Sequence, residues 1–226
     1  IPDLCRKLEQ GYDFLILCNP NNPTSSAISK KDLRDLIRFC AEKDIFVMID
    51  ETYVEFAPDI SAITAVPLTQ EFTNLMVLRG VSKFFAAPGM RLGYGITGNK
   101  KFLEKMREKQ TPWSLNSIGA FAGEIMLQDE EYIQQTRQLI LSERDRMIDE
   151  LKGISTYKVY PAYANFILLK ILKDGLTSYD VFEACIRQGL IIRDCSSFQC
   201  LEGEFVRFCI MMPEDNSRLV NVLKSL

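Results

Sequence analysis

The chain contains no histidine. Within it, that excludes any Ser-His or Cys-His nucleophilic pair and any histidine-ligated zinc site. Acid–base work must fall to Lys, Tyr, Asp or Glu, and no metal is expected. It also lacks a Cys-x-x-Cys pair. The seven cysteines stand at 5, 18, 40, 185, 195, 200 and 209, and several lie inside apolar runs (Cys18, Cys40, Cys209). They read as reduced, mostly structural thiols of a cytoplasmic protein rather than as a disulfide framework. No apolar run reaches the ~18 residues of a membrane span and no signal peptide is visible, so no membrane is expected. Nor is one charge in large excess: 27 Lys and Arg stand against 30 Asp and Glu, which leaves no basic footprint for nucleic acid.

What is present is ordinary globular composition, 226 residues with 47% hydrophobic and 25% charged, enough for a core of one large domain or two smaller ones. The chain opens at Ile1 without Met, in mid-pattern, and is expected to be part of a longer protein. Residues 14–18 are a short apolar run stopped by Asn19-Pro20-Asn21-Asn22-Pro23, which predicts a buried strand and a turn. Ser29 and Asp32 have capping-box spacing, and Leu33, Leu36, Ile37, Cys40 and Ala41 follow the helical period. Further strands are predicted at 45–49, 74–78 and 92–97, and helices at 99–110, 116–127 and about 130–152, with Gly153 as a stop. Strand, helix, strand with buried apolar strands indicates an α/β fold with a mostly parallel sheet. After residue 153 the texture changes to short strands at 157–160, 164–170, 190–193 and 204–211, with helices at 177–188 and 214–225. The domains expected are a partial large domain over 1–130, a connecting helix over 131–152 and a smaller α+β domain over 153–226.

Ligands of open parallel sheets bind at the carboxyl ends of strands. Three of the strands end in polar clusters: Asn21-Asn22, Asp50-Glu51-Thr52-Tyr53 and Ser82-Lys83. Each alone has a plainer reading. A lone lysine is usually a solvated charge, an Asp at a strand–helix junction caps the helix, and Asn-Pro repeats make turns. Parallel strands would bring all three to one sheet edge.

Cys18-Asn19-Pro20-Asn21-Asn22-Pro23-Thr24, Asp50-Glu51-Thr52-Tyr53 and the run from Ser82-Lys83 to Arg91-Leu92-Gly93 resemble the successive motifs of class I and II aminotransferases. These are pyridoxal 5'-phosphate (PLP) enzymes of fold type I. The likeness is strongest to the histidinol-phosphate aminotransferase branch and to threonine-phosphate decarboxylase. The steps of 28 from Asn22 to Asp50, 33 to Lys83 and 8 to Arg91 fit that pattern.

The resemblance implies roles. Lys83 would form the Schiff base with PLP and serve as the base at the substrate α-carbon. With Tyr53 it is the expected catalytic residue. Asp50 would pair with the protonated ring nitrogen, and Asn22 and Tyr53 would hydrogen-bond the ring oxygen. Arg91 and Ser82 would bind the phosphate. Arg207, odd in an otherwise apolar alternation, would bind the substrate carboxylate, Arg193 a phosphate on the substrate side chain, and Asn165 would line the substrate pocket.

Ser25 stands where the family usually has Gly, and Gly80 where many members have Ser or Thr. The family's phosphate-cradling loop, its ring-stacking aromatic and a tyrosine offered to a partner subunit precede the first motif and are not found here. The implied activity is amino-group transfer between an amino acid or amino-alcohol phosphate and a 2-oxo acid, in a homodimer. Two other readings stay open. The 112–116 and 193–196 segments lean toward a decarboxylase of an O-phosphorylated amino acid, and an inactive dimerisation or scaffold module is the reading from another class.

Overall fold

A computed structural model describes residues 1–199 and 201–226; Cys200, one of the thiols considered above, lies outside them. The six described cysteines are all free, though Cys209 is exposed rather than structural. No helix among the described residues is long and apolar enough to cross a membrane. The chain divides into two compact units, each described by itself. The first comprises Ile1–Pro20, Ala27–Glu55 and Asp59–Tyr132, and the second Asn21–Ser26, Phe56–Pro58 and Ile133–Leu226.

The first unit is built on a four-stranded sheet in sequential order: β1 (Phe14–Cys18), β2 (Phe46–Asp50), β3 (Leu75–Gly80) and β4 (Gly93–Ile96). The first three strands are parallel and β4 is antiparallel to β3. The segment between β3 and β4 holds a single short 3-10 turn at Pro88–Met90. Without a crossover helix the chain can only return beside β3 in the opposite sense. Helix α2 (Lys30–Glu42) buries Leu33, Leu36, Ile37 and Cys40 against Leu15, Val47, Ile49, Leu75 and Val77. Ser29 caps it, its hydroxyl oxygen accepting from the Asp32 amide at 3.1 Å. The Asp32 carboxylate accepts that hydroxyl's own proton at 2.7 Å, a local variant of the capping box. Strand β1 departs from the buried strand its composition predicts. Among the described residues it pairs with β2 alone, and Phe14 and Ile16 are exposed. An apolar run is buried on both faces only when elements cover both.

Helix α1 (Pro2–Leu8) and the 3-10 turns at Val54–Phe56, Ile60–Ala62 and Val66–Gln70 have no clear periodicity in the sequence. Helix α3 spans Lys100–Lys109, α4 Ser117–Met126 and α5 Glu130–Lys152. Ile118, Phe121 and Ile125 of α4 are exposed.

The second unit carries an antiparallel sheet of order β5 (Tyr157–Val159), β6 (Phe166–Ile171), β8 (Phe205–Cys209) and β7 (Arg193–Asp194). The strand expected at 190–193 is shorter and later, because only Arg193 and Asp194 come into register with β8. Helices α6 (Ser178–Arg187) and α7 (Pro213–Lys224) bury Val181, Cys185, Leu219, Val220 and Leu223. Thr177 and Asp180 form a reciprocal capping box on α6. Arg144 of α5 is 1% exposed and donates to the carbonyls of Phe56 (2.9 Å) and Ala164 (3.1 Å). Burial holds its pKa below the usual guanidinium value.

Candidate active site

In the first unit, Asp50 ends β2 and faces the end of β3 in register with Leu78. The turn that follows β3 carries Ser82 and Lys83, and Arg91 closes it. A cavity of about 410 Å3 lies here, lined by Asp50, Arg79, Ser82, Pro88, Arg91 and Tyr94 among others. One Asp50 oxygen (Oδ1) accepts from the Thr52 amide (2.8 Å) and hydroxyl. Its second oxygen accepts nothing among the described residues. Lys83 is exposed and Tyr53 half-buried; both stand beside this cavity in sequence but outside its lining.

The Lys83 turn is held by contacts that no motif announces. Ala86 and Arg91 both adopt left-handed backbone at φ 50°, a conformation that costs L-residues about 1–2 kcal/mol. The Tyr132 hydroxyl donates to the Phe84 carbonyl at 2.9 Å, and the Tyr132 ring stacks on Phe85 with centroids 5.7 Å apart. Phe84 itself is buried. Asn116 both caps α4 and donates to the Met90 carbonyl at 3.0 Å. Gly119 lets α4 approach that same carbonyl, since a Cβ there would lie 2.8 Å from it. Arg91 donates to the Pro88 carbonyl at 2.9 Å.

Glu51, next to Asp50, was not singled out by the sequence. It is fully buried. Its carboxylate accepts from the Thr64 hydroxyl (2.8 Å), the Ala65 amide (2.6 Å), and the Arg79 Nη2 (2.8 Å) and Nε (3.1 Å). Burial alone would lower the Arg79 pKa, but the hydrogen bonds and charge of Glu51 outweigh it and hold the guanidinium above its usual value. Cys18 pairs in register with Asp50. Burial, then the Asp50 charge, push its thiol up. Asn19 is fully buried and bonded to Ile28 and Ile63, a structural role.

In the second unit, Asn22 lies on the Asn21–Ser26 turn. Ser25 is buried at φ 57°, the left-handed region that suits the glycine usual there. Its hydroxyl oxygen accepts from the amides of Tyr163 (3.1 Å) and Ala164 (2.9 Å). The Asn22 side-chain oxygen accepts a hydrogen bond from Arg207. Arg207 also lies 5.0 Å above the Phe166 ring, but its Nε is buried without a partner, as is Oδ1 of Asn165. Arg193 sits directly across the strand pair from Arg207, bonded to Ser197 at 2.9 Å. Both arginines line a cavity of about 720 Å3 with Tyr179, Phe182, Ser196 and Cys209. Among the described residues no group of His, Cys, Asp or Glu side chains is disposed to hold a metal ion.

The model of the family described as aminotransferase class I and II matches residues 1–223. Histidinol-phosphate aminotransferase 2 of Archaeoglobus fulgidus is 34% identical over 218 residues, which is 96% of this chain and 59% of that protein. Threonine-phosphate decarboxylase of Salmonella typhimurium is 31% identical over 219 residues, 97% of this chain and again 59% of the relative. The chain therefore spans about three fifths of the length of the curated relatives it matches. Among solved structures, the histidinol-phosphate aminotransferase from Clostridium acetobutylicum superposes with a TM-score of 0.91 at 33% identity. That match covers 99% of this chain and 66% of the other.

Proposed function

Because the chain belongs to the class I and II aminotransferase family, we propose that it carries the cofactor- and substrate-binding residues of a PLP-dependent aminotransferase. The observation that carries this reading is the donor set of one cavity: Asp50 at the carboxyl end of β2, with Ser82 and Arg91 in the connection that follows the neighbouring parallel strand β3. It fits PLP. The unsatisfied Asp50 oxygen suits a protonated ring nitrogen, and a hydroxyl with a planar guanidinium suits a phosphate. When bound, PLP supplies an aldehyde for amine exchange and a conjugated ring that takes up electron density from the substrate α-carbon.

The chain's own residues do the rest. Asp50 holds the ring nitrogen's proton. Ser82 and Arg91 bind the phosphate. Lys83, solvent-accessible and followed by the anchored Phe84, tethers the cofactor and moves the proton at the substrate α-carbon. By family likeness Tyr53 and the Asn22 amide would donate to the ring oxygen; within its own unit Asn22 accepts from Arg207. Arg207 and Arg193, with Asn165, bind the substrate. Two arginines lining one cavity suit a substrate with two anionic ends, such as a dicarboxylic amino acid or an amino-acid phosphate. By family likeness the working assembly is a homodimer.

The test is incubation of the native polypeptide containing this chain with PLP, then borohydride reduction and peptide mapping. A pyridoxyl group on Lys83 is expected; no adduct, or an adduct on another lysine, overturns the reading. The decarboxylase reading is favoured by the same arginine pair, which would hold a carboxylate and a phosphate. Threonine phosphate separates the two: carbon dioxide release without an oxo acid establishes decarboxylation, and amino transfer to 2-oxoglutarate establishes the aminotransferase.

A further inference from the structure

The Asn21–Ser26 turn belongs to the same compact unit as Tyr163, Ala164 and Arg207. It is tied within itself. The Ser25 amide donates to the Asn21 carbonyl and the Asn21 amide to the Ser26 carbonyl, both at 2.8 Å. The Asn21 side chain donates to the Thr24 hydroxyl at 2.8 Å. One end of the turn carries Asn22, whose side-chain oxygen takes the hydrogen bond from Arg207. The Phe166 ring beneath that guanidinium fixes no hydrogen-bonding direction, and Nε has no partner. The other end of the turn is fastened by Ser25. Its carbonyl accepts from the Tyr163 amide at 2.8 Å, a bond that any residue could supply. Its hydroxyl oxygen accepts from the Tyr163 and Ala164 amides, and only a hydroxyl side chain supplies that. Ala164 is fully buried, so without the hydroxyl its amide bears the cost of an unmade bond. The Ala164 carbonyl is held by Arg144 at 3.1 Å, so the backbone on which the turn rests is itself fixed. Ser25 adopts left-handed backbone at φ 57°, where glycine would be unstrained. Backbone strain therefore opposes serine at this position, and the bonds of its hydroxyl favour it.

We propose that Ser25 is a positioning residue for the substrate: its hydroxyl fastens the Asn21–Ser26 turn to the Tyr163–Ala164 backbone, and the turn, through Asn22, sets where the Arg207 guanidinium stands. This deepens the proposed function and rests on its assignment of Arg207 to an anionic end of the substrate.

The test is the binding of succinate and 3-phosphonopropionate, dianions with no amine to react. It is measured by calorimetry on the native polypeptide containing this chain, with its cofactor bound, alongside thermal melting. Ser25→Gly loses the hydroxyl and relieves the left-handed backbone, whereas Ser25→Ala loses the hydroxyl and keeps the strain. Ser25→Gly is therefore expected to melt at the higher temperature of the two. Both are expected to weaken dianion binding by the same factor, about fivefold or more. In an Arg207→Met background, Ser25→Gly is expected to change the remaining affinity by less than about twofold, because the guanidinium it positions is gone. A hydroxyl that serves stability alone gives a different pattern. Binding then follows the order of melting, or stays within about twofold of wild type in Ser25→Gly, and either result overturns the proposal. So does an equal loss from Ser25→Gly with and without Arg207. Should Ser25→Ala fail to fold, Ser25→Gly and the Arg207→Met background decide alone. A wild-type protein that binds neither dianion sinks the functional reading of Arg207 itself, a result distinct from wild-type binding that Ser25→Gly leaves intact.

Discussion

Arg193 and Arg207 stand directly opposite each other on β7 and β8. Like charges so placed cost about 0.2–1 kcal/mol, a cost a protein retains where an anion offsets it. Arg193→Gln is therefore expected to leave the ligand-free protein as stable or slightly more stable, while raising KM for a doubly anionic substrate about tenfold or more. Arg207→Lys loses the guanidinium fork, and with it the bond to Asn22, and is expected to raise KM and lower kcat together. Urea melts and steady-state kinetics check both. An Arg193→Gln variant that is destabilised with unchanged KM would mark the pair as structural.

Lys83 is exposed, so Lys83→Ala removes an amine without opening the core. Turnover is expected to vanish, because amine exchange and proton transfer lose the same group. The thermal midpoint should stay within about 2 °C of wild type, as for surface substitutions generally. Near-normal turnover in that variant would mean that another lysine serves.

Gly119 approaches the Met90 carbonyl so closely that a Cβ would sit 2.8 Å from it. Gly119→Ala must push the backbone just before Arg91. The expected effect is about 1–3 kcal/mol of lost stability, as for overpacking elsewhere, with weaker PLP binding because Arg91 moves. Gly153→Ala, where an added Cβ would lie an ordinary 3.5 Å from its nearest neighbour, the Glu150 carbonyl oxygen, serves as the control and should leave PLP binding unchanged.

Burial raises the Cys40, Cys185 and Cys195 thiols to about 11, from an ordinary value of 9.0. At Cys195 the Arg207 and Arg193 charges oppose the rise. The folded state thus holds these protons more tightly than the unfolded chain does. The stability they contribute is fully present below pH 9.0 and is lost as pH rises toward about 11. The urea midpoint should be insensitive to these thiols up to pH 9.0 and fall above it. Cys209, exposed, should react with a thiol reagent in the native state well before these three. Equal labelling of all four without denaturant would contradict the burial described.

The sheet of the first unit was legible because its signals are local. An apolar run stopped by polar residues needs no distant partner to be recognised, so β1, β2 and β3 fall at or within two residues of their expected bounds, with Asp50 ending one strand and Ser82-Lys83 following another. The helix periods of α2 and α6 are local in the same way. What failed depended on neighbours. The burial of β1 turned on which elements cover it, and the shortness of β7 on its register with β8.

By itself, then, the amino-acid sequence determined which chemical groups the chain possesses and where along it they fall. The absence of histidine, the strand-end positions of Asp50 and Lys83, and the arginine at 207 inside an apolar alternation were all settled there. Tertiary structure alone decided how those groups are engaged. It buried Glu51 against Arg79 while leaving one oxygen of its neighbour Asp50 open, put Ser25 in left-handed backbone beneath Tyr163 and Ala164, and joined Arg207 to Asn22 across 185 residues of chain. The physical reason is that a residue's type sets what it can bond to, whereas its partner is set by pleat, register and loop closure, which are properties of the folded chain as a whole.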